Sequence, residues 1–134
     1  QEFEARTQIK THFSSNLMDV DLDLERSTAV FRILQEALTN IARHANATQV
    51  HIELRAEPTQ LVLKVQDNGK GITASEMVKA HSFGILGMRE RALLFGGPVE
   101  ISGQPRQGTT LTVQIPYPVT IGVMASPSVQ LNER

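Results

Sequence analysis

Two segments with alternating apolar and polar side chains lie between two helical segments, and this order restricts the possible folds most. Residues 49–55 and 61–67 alternate as half-buried strands do. The turn-forming residues 57–60 between them predict a hairpin. Apolar residues at helical spacing run from 24 to 45 before the hairpin and from 85 to 95 after it. The order predicts an α+β fold, a two-layer sandwich with a mixed, mostly antiparallel sheet.

Three further strands complete the predicted sheet. Ala5–Phe13 reads as a strand before the first helix, and Val99–Ser102 and Leu111–Ile115 follow the second helix. Either Asp23 or Ser27 could cap the first helix, because both side chains can accept a hydrogen bond from a helical N–H group. The predicted order is therefore strand, helix, two strands, helix, two strands.

Composition limits the class of protein. The chain has 134 residues, so we expect one domain over residues 1–118, with residues 119–134 as a tail or linker. A net charge of -1 argues against a nucleic-acid partner, and the lack of cysteine excludes disulfides and thiolate metal sites. No apolar run reaches the roughly 20 residues of a membrane-spanning helix. We expect a cytoplasmic domain, and membrane anchoring of the full-length protein is left open.

Four polar residues share one arc of the first predicted helix: Glu36, Asn40, Arg43 and His44. A helix rotates by about 100° per residue, so these side chains lie together and opposite the apolar ones. One interpretation is a solvent-exposed polar face. The other is a ligand site, since Asn is a poor helix former whose carbonyl oxygen can bind a hard cation. Asn40 is the candidate metal ligand.

Asp67 ends the second strand of the hairpin on the apolar side. It follows three apolar residues at two-residue steps, so the strand period turns its carboxylate inward. A buried carboxylate needs hydrogen-bond donors. Asp67 is either the first residue of a tight turn or an acceptor for an exocyclic amine. In the second case Gly69 and Gly71 would let the backbone approach a flat ring or a phosphate closely.

Glycines also mark two later segments. Gly84 and Gly87 bracket the start of the second helix, either as a glycine cap or as a phosphate site made of free N–H groups. Gly108 begins the last strand, where Thr110 is out of phase with Leu111 and could face another surface. The histidines and carboxylates lack the spacing of a zinc site. The four segments together are typical of a pocket for a Mg-bound nucleoside triphosphate.

Four segments of the chain resemble, in their order and residue identities, four sequence elements of the GHKL ATPase superfamily. Residues 35–44 resemble its N box, residues 67–71 its G1 box, residues 84–91 its G2 box, and residues 108–110 its glycine–threonine element. That superfamily has the Bergerat ATP-binding fold. Within the superfamily, these segments are most similar in sequence to those of sensor histidine kinases of the nitrate/nitrite-sensor type. The resemblance covers about residues 5–117.

The resemblance implies a role for each matching residue. The catalytic group would be Glu36, Asn40, Arg43 and His44, with Asn40 holding Mg²⁺, Arg43 and His44 beside the phosphates, and Glu36 at the position that polarises water in hydrolysing relatives. Asp67 would accept from the adenine amine, assisted by Thr110. Residues 72–82 would form the ATP lid. The remaining nucleotide contacts would be Gly69, Gly71, Ile72, Gly84, Ile85, Leu86, Gly87 and Met88.

The resemblance also implies the reaction. We expect the catalytic domain of a histidine kinase, with ATP and Mg²⁺ as cofactors. It would transfer the γ-phosphoryl group to its own dimerisation domain and thereby act indirectly on a response regulator. None of the four histidines is followed by an acidic residue, as the family's acceptor histidine is, so the acceptor helix is expected elsewhere. The alternatives are another GHKL member, such as an anti-sigma-factor serine kinase, and a non-catalytic nucleotide-sensing module.

Overall fold

The computed structural model describes residues 2–16, 23–73 and 84–117. Its helices are α1 (Glu2–Thr7), α2 (Leu24–Asn40), which continues into a π-helical turn (Ile41–Ala45), and α3 (Ile85–Leu93). Its strands are β1 (Lys10–Ser15), β2 (Gln49–Ala56), β3 (Gln60–Asp67), β4 (Val99–Gln104) and β5 (Gly108–Pro116). None of the helices in these described ranges is long and apolar enough to cross a lipid bilayer.

The five strands form one sheet in the order β1-β2-β3-β5-β4. β1 runs parallel to β2, and the other neighbouring pairs are antiparallel. Alternate residues of the central strands are buried beneath α2 and α3, among them Leu63, Val65 and Val113. The predicted α+β sandwich with a mixed, mostly antiparallel sheet is therefore confirmed.

Helix α2 begins at the first of its two candidate caps. The carboxylate of Asp23 accepts a hydrogen bond from the Arg26 backbone N–H at 3.2 Å. The Arg26 guanidinium donates to the Pro116 carbonyl oxygen at 2.9 Å and lies 4.6 Å from the centre of the Phe95 ring. The start of α2 is thereby attached to the end of β5.

The N-terminal prediction was wrong in its first half. Residues 2–7 form α1, and the strand begins only at Lys10. The Thr7 hydroxyl donates to the Phe3 carbonyl at 2.6 Å, and Gln8 turns the chain with a φ of 64°. This turn lets both Phe3 and Ile9 reach the core, which a strand through this region would not allow.

Two predicted segments lie outside the described residues. The expected tail or linker, residues 119–134, is one of them. The other is most of the expected lid, since the described ranges end at residue 73 and begin again at residue 84.

Candidate nucleotide-binding site

A pocket lies between α2 with its π-helical turn, the start of α3, and the inner face of the sheet. Most of its walls are apolar, and a few polar groups converge on it, as in small-molecule sites. The described lining residues are Ala37, Asn40, Ile41, His44, Ala45, Val65, Asp67, Lys70, Gly71, Ile72, Ile85, Met88, Ile101, Thr109 and Leu111. The lining includes seven of the predicted site residues: Asn40, His44, Asp67, Gly71, Ile72, Ile85 and Met88.

Asp67 lies at the sheet side of the pocket with only 5% of its surface exposed. Its carboxylate accepts a hydrogen bond from the Gly69 backbone N–H at 2.7 Å. Burial raises the pKa of Asp67, and backbone hydrogen bonds from Gly69 and Thr109 offset this only in part. A carboxylate has more lone pairs than these N–H groups use. Asp67 can therefore also accept a hydrogen bond from a ligand in the pocket.

The loop after Asp67 is attached to both neighbouring layers. The Lys70 N–H donates to the Ala45 carbonyl at 2.8 Å, and the Lys70 carbonyl accepts from the Arg106 N–H at 2.9 Å. The Ile72 N–H donates to the Thr109 hydroxyl at 2.9 Å. These bonds connect the loop to the end of the π-helical turn, to the β4–β5 turn and to β5. The sheet side of the pocket is therefore fixed mainly by backbone hydrogen bonds, together with one from the Ile72 N–H to a side chain.

Gly71 shows why glycine is needed in this loop. Its φ is 84°, a conformation that side chains with a Cβ rarely adopt. A Cβ here would also collide with the backbone carbonyl of Gln104 in β4. The close approach that the structure shows at this glycine is to β4, and the predicted approach to a flat ring or a phosphate stays a prediction.

The threonine of the last strand that reaches the pocket is Thr109, which differs from the prediction of Thr110. Thr109 has the same strand phase as the buried Leu111, and both line the pocket. Thr110 pairs with Gln66 and Ser102 within the sheet and lies outside the described lining. The strand period alone predicts that Thr109 shares the face of Leu111, because side chains two residues apart on a strand lie on the same face.

On the helix side, Asn40 and His44 line the pocket, whereas Arg43 is exposed and outside the described lining. The prediction that the four polar residues share one arc assumed α-helical geometry over the whole segment. The chain winds as a π-helix from Ile41 to Ala45, and each residue of a π-helical turn advances by less than the α-helical 100°. This brings His44 back toward the line of Asn40 and carries Arg43 away. The structure therefore separates Arg43 from Asn40 and His44.

The start of α3 contacts the arc of α2 on which the four polar residues were predicted. Gly84 is the residue before the helix, with a φ of 65°, and the position of a Cβ on it is occupied by the Glu36 carboxylate. Glu36 is half-buried. Within α3, Ile85 and Met88 are buried against the pocket, whereas Leu86 is exposed. Of the predicted contacts here, Leu86, Gly87 and Gly84 lie outside the described lining, as do Glu36 and Gly69.

Asn40 is the one predicted metal ligand in the pocket lining, and a single protein oxygen is compatible with a magnesium ion that arrives with a nucleotide. In the described ranges no group of three or more histidine, cysteine, aspartate or glutamate side chains could hold a metal ion. Mg²⁺ commonly takes one or two protein oxygens and completes its shell with water and substrate phosphates. One amide oxygen of Asn40 in the pocket lining fits that pattern.

Comparison with known proteins identifies the family. Residues 25–119 match the family model described as histidine kinase-, DNA gyrase B- and HSP90-like ATPase. The chain belongs to this ATPase family. The predicted GHKL membership is therefore confirmed, and ATP is the nucleotide implied for the domain. The match begins within the first turn of α2 and extends past the end of β5.

Individual relatives support the same assignment. The chain is 41% identical over 88 residues to the signal transduction histidine-protein kinase/phosphatase DegS of Brevibacillus brevis, covering 66% of this chain and 22% of DegS. The chain therefore spans about a fifth of that relative.

Solved structures show the same fold. The histidine kinase AdeS of Acinetobacter baumannii superposes with a TM-score of 0.72 at 16% identity, over 88% of this chain and 59% of that one. The ATP binding domain of PrrB from Mycobacterium tuberculosis gives a TM-score of 0.71 at 20% identity, over 88% of both chains.

Proposed function

We propose that this chain is the catalytic ATP-binding domain of a sensor histidine kinase of the nitrate/nitrite-sensor type. It would transfer the γ-phosphoryl group of Mg-ATP to a histidine on a separate dimerisation domain, from which a response regulator would receive it. The observation that carries the proposal is the buried carboxylate of Asp67 in an apolar pocket. The 41% identity to DegS supports the kinase assignment within the larger ATPase family.

The adenine would bind at the sheet side. A flat aromatic ring fits between the apolar side chains of the lining, such as Val65, Met88 and Leu111. The Asp67 carboxylate would accept from the exocyclic amine, which adenine has and guanine lacks at that position. Thr109 lines the same pocket as Asp67, and its backbone N–H lowers the pKa of that carboxyl, so Thr109 is close enough to assist. The geometry favours Thr109 over the predicted Thr110 for this role.

The triphosphate would lie toward the end of α2. Asn40 and His44 line that side of the pocket, and Glu36 lies beside Gly84 at the start of α3. Asn40 would hold Mg²⁺ through its amide oxygen, and the bound ion would neutralise charge on the phosphates. His44 would donate to a phosphate oxygen. These residues would act mainly by orienting the γ-phosphoryl group toward its acceptor.

The acceptor histidine would be supplied by another domain. His12 and His51 lie on the outer face of the sheet, and His44 lies in the pocket. His81 lies outside the described residues. None of the four has the acid-following context of the family's acceptor. We therefore expect that the chain alone binds ATP without labelling itself.

A transfer assay tests the proposal. The chain is incubated with ATP labelled at the γ-phosphate, alone and with the dimerisation domain of the same full-length protein. We expect acid-labile label on that domain only when both are present, and none after its acceptor histidine is replaced by Gln. Acid-stable label would favour a serine kinase. Tight ATP binding without transfer to that domain would favour a nucleotide-sensing module. Acid-labile label on the chain itself would contradict a separate acceptor.

A further inference from the structure

Two histidines are paired on the face of the sheet opposite the nucleotide pocket. The parallel register of β1 and β2 sets His12 directly beside His51. His51 alternates with Val50 and Ile52, which are buried on the pocket side, so both imidazoles point outward. Both residues are exposed. The pair plays no part in nucleotide binding as derived above.

The two imidazole rings are stacked. Their centroids are 4.4 Å apart and their planes differ by 11°. Two imidazole nitrogens that bind one metal ion at about 2.0–2.1 Å must themselves be roughly 3 Å apart. In the stack the nitrogen lone pairs lie in nearly parallel planes, so both rings must leave the stack and turn toward a shared ion by rotation about χ1 and χ2, which two exposed side chains can do. The backbone register already supplies the rest of the approach.

We propose that His12 and His51 form a two-imidazole binding site for a divalent transition-metal ion. Imidazole suits Ni²⁺, Cu²⁺ and Zn²⁺, whereas Mg²⁺ prefers oxygen ligands, so this site and the nucleotide's metal select different ions. Within the described ranges no third histidine, cysteine or carboxylate joins the pair. Water completes the coordination shell. The site therefore binds a metal ion through two protein ligands.

The charged neighbours do not block such a site. Glu53, two residues after His51 on the same face, lies 3.2 Å from the Arg55 guanidinium and is engaged there. Ser14 pairs with Glu53 in the register, and Lys10 lies two residues before His12. The charged neighbours are thus Lys10, Lys64 opposite Glu53, and the Glu53–Arg55 ion pair, so no free carboxylate among the described residues assists the site and the two imidazoles alone must hold the ion.

A bound metal ion would tie the edge of the sheet to its interior. β1 is the edge strand, and β2 is its neighbour in the sheet. An ion held by one ligand from each strand opposes their separation. It stabilises the folded state over the unfolded state, where the two histidines are far apart in sequence and no site exists.

Binding is tested with NiCl₂ and ZnCl₂, each alone, in a buffer without chelators and without nucleotide. Calorimetry should give one ion per chain, and the melting temperature should rise with metal concentration. His12→Gln and His51→Gln should each weaken binding at least about tenfold, because the second imidazole binds at an effective concentration set by the first. The double variant should bind the ion no more tightly than either single variant.

The controls separate the pair from other histidines. Gln49→Ala lies on the same face and should bind as the wild type does. Metal bound at His44 or His81 would persist in the double variant, so unchanged one-to-one binding there would overturn the proposal. So would a wild type that binds no metal while its melting curve shows a folded chain. Two single variants that each lose half the sites at unchanged affinity would show independent histidines and would equally overturn it. None of these outcomes depends on ATP.

Discussion

The two sides of the candidate nucleotide pocket are built differently. On the sheet side, Asp67 and Gly71 are held by backbone contacts, such as those of Lys70 with Ala45 and Arg106. On the helix side, Asn40 and His44 line the pocket, and beside it Gly84 is approached by the side chain of Glu36. A backbone contact leaves little room for adjustment, whereas a side chain can change rotamer. The sheet side should therefore be rigid and the helix side adaptable.

The largest expected effect compares one glycine from each side. Gly71→Ala places a Cβ against the Gln104 backbone carbonyl at a φ of 84°, so we expect a loss of about 2–3 kcal/mol in the free energy of unfolding. Gly84→Ala has a similar φ but meets the movable carboxylate of Glu36. Its cost should be about 1 kcal/mol.

Urea denaturation of both variants without nucleotide measures this difference. The slopes of the unfolding free energy against urea should match that of the wild type, so that midpoints can be compared directly. Equal destabilisation by the two substitutions would contradict the contrast between a rigid and an adaptable side.

The next effect concerns nucleotide affinity at the sheet side. Asp67→Asn should weaken ATP binding by about 1.5–3 kcal/mol, the range for a hydrogen bond to a charged group. This corresponds to roughly tenfold or more in affinity. The introduced amide can donate to the carbonyl that GTP offers, so the variant should discriminate less between ATP and GTP. Titrating ATP and GTP into the wild type and the variant measures the change in both affinities. An unchanged affinity for ATP would mean that Asp67 only forms the turn and does not bind the nucleotide.

Stability provides the control for that substitution. Burial holds the pKa of Asp67 above its ordinary value, so the ionised carboxylate costs stability at neutral pH and this cost disappears as the pH falls through the raised pKa. Asp67→Asn lacks the charge, and its amide oxygen can still accept from Gly69. We expect the variant to be at least as stable as the wild type at pH 7.5. The difference in melting temperature should narrow on acidification.

Regular periodicity explains which parts were predictable from sequence. The strand period placed Asp67 inward, and the same period, applied to β5, would have selected Thr109 over Thr110. Helix period predicted one arc for Asn40 and Arg43, whereas only Asn40 is in the described pocket lining, because the change to π-helical winding has no sequence pattern comparable to a hydrophobic stripe. The α1 turn was missed because it depends on a local bond of Thr7 and the conformation of Gln8. Contacts between distant segments, such as Arg106 with Lys70, leave no local signal.

The smallest expected effect tests the π-helical turn itself. His44 lines the pocket and Arg43 is exposed, although an uninterrupted α-helix would group both with Asn40. His44→Ala should weaken Mg-ATP binding by about 0.5–1.5 kcal/mol, the usual net value of one hydrogen bond. Arg43→Ala is the matched neighbour and should change affinity by less than about 0.5 kcal/mol. Calorimetry at two salt concentrations measures both, since an exposed cation that acts on the phosphates only at long range loses its effect as salt is added. A loss for Arg43→Ala that equals that of His44→Ala and persists at high salt would mean that Arg43 contacts the phosphates directly. The π-helical turn would then not keep the Arg43 and His44 side chains apart when nucleotide is bound. The helix side of the pocket would in that case be even more adaptable than we infer from its comparison with the sheet side.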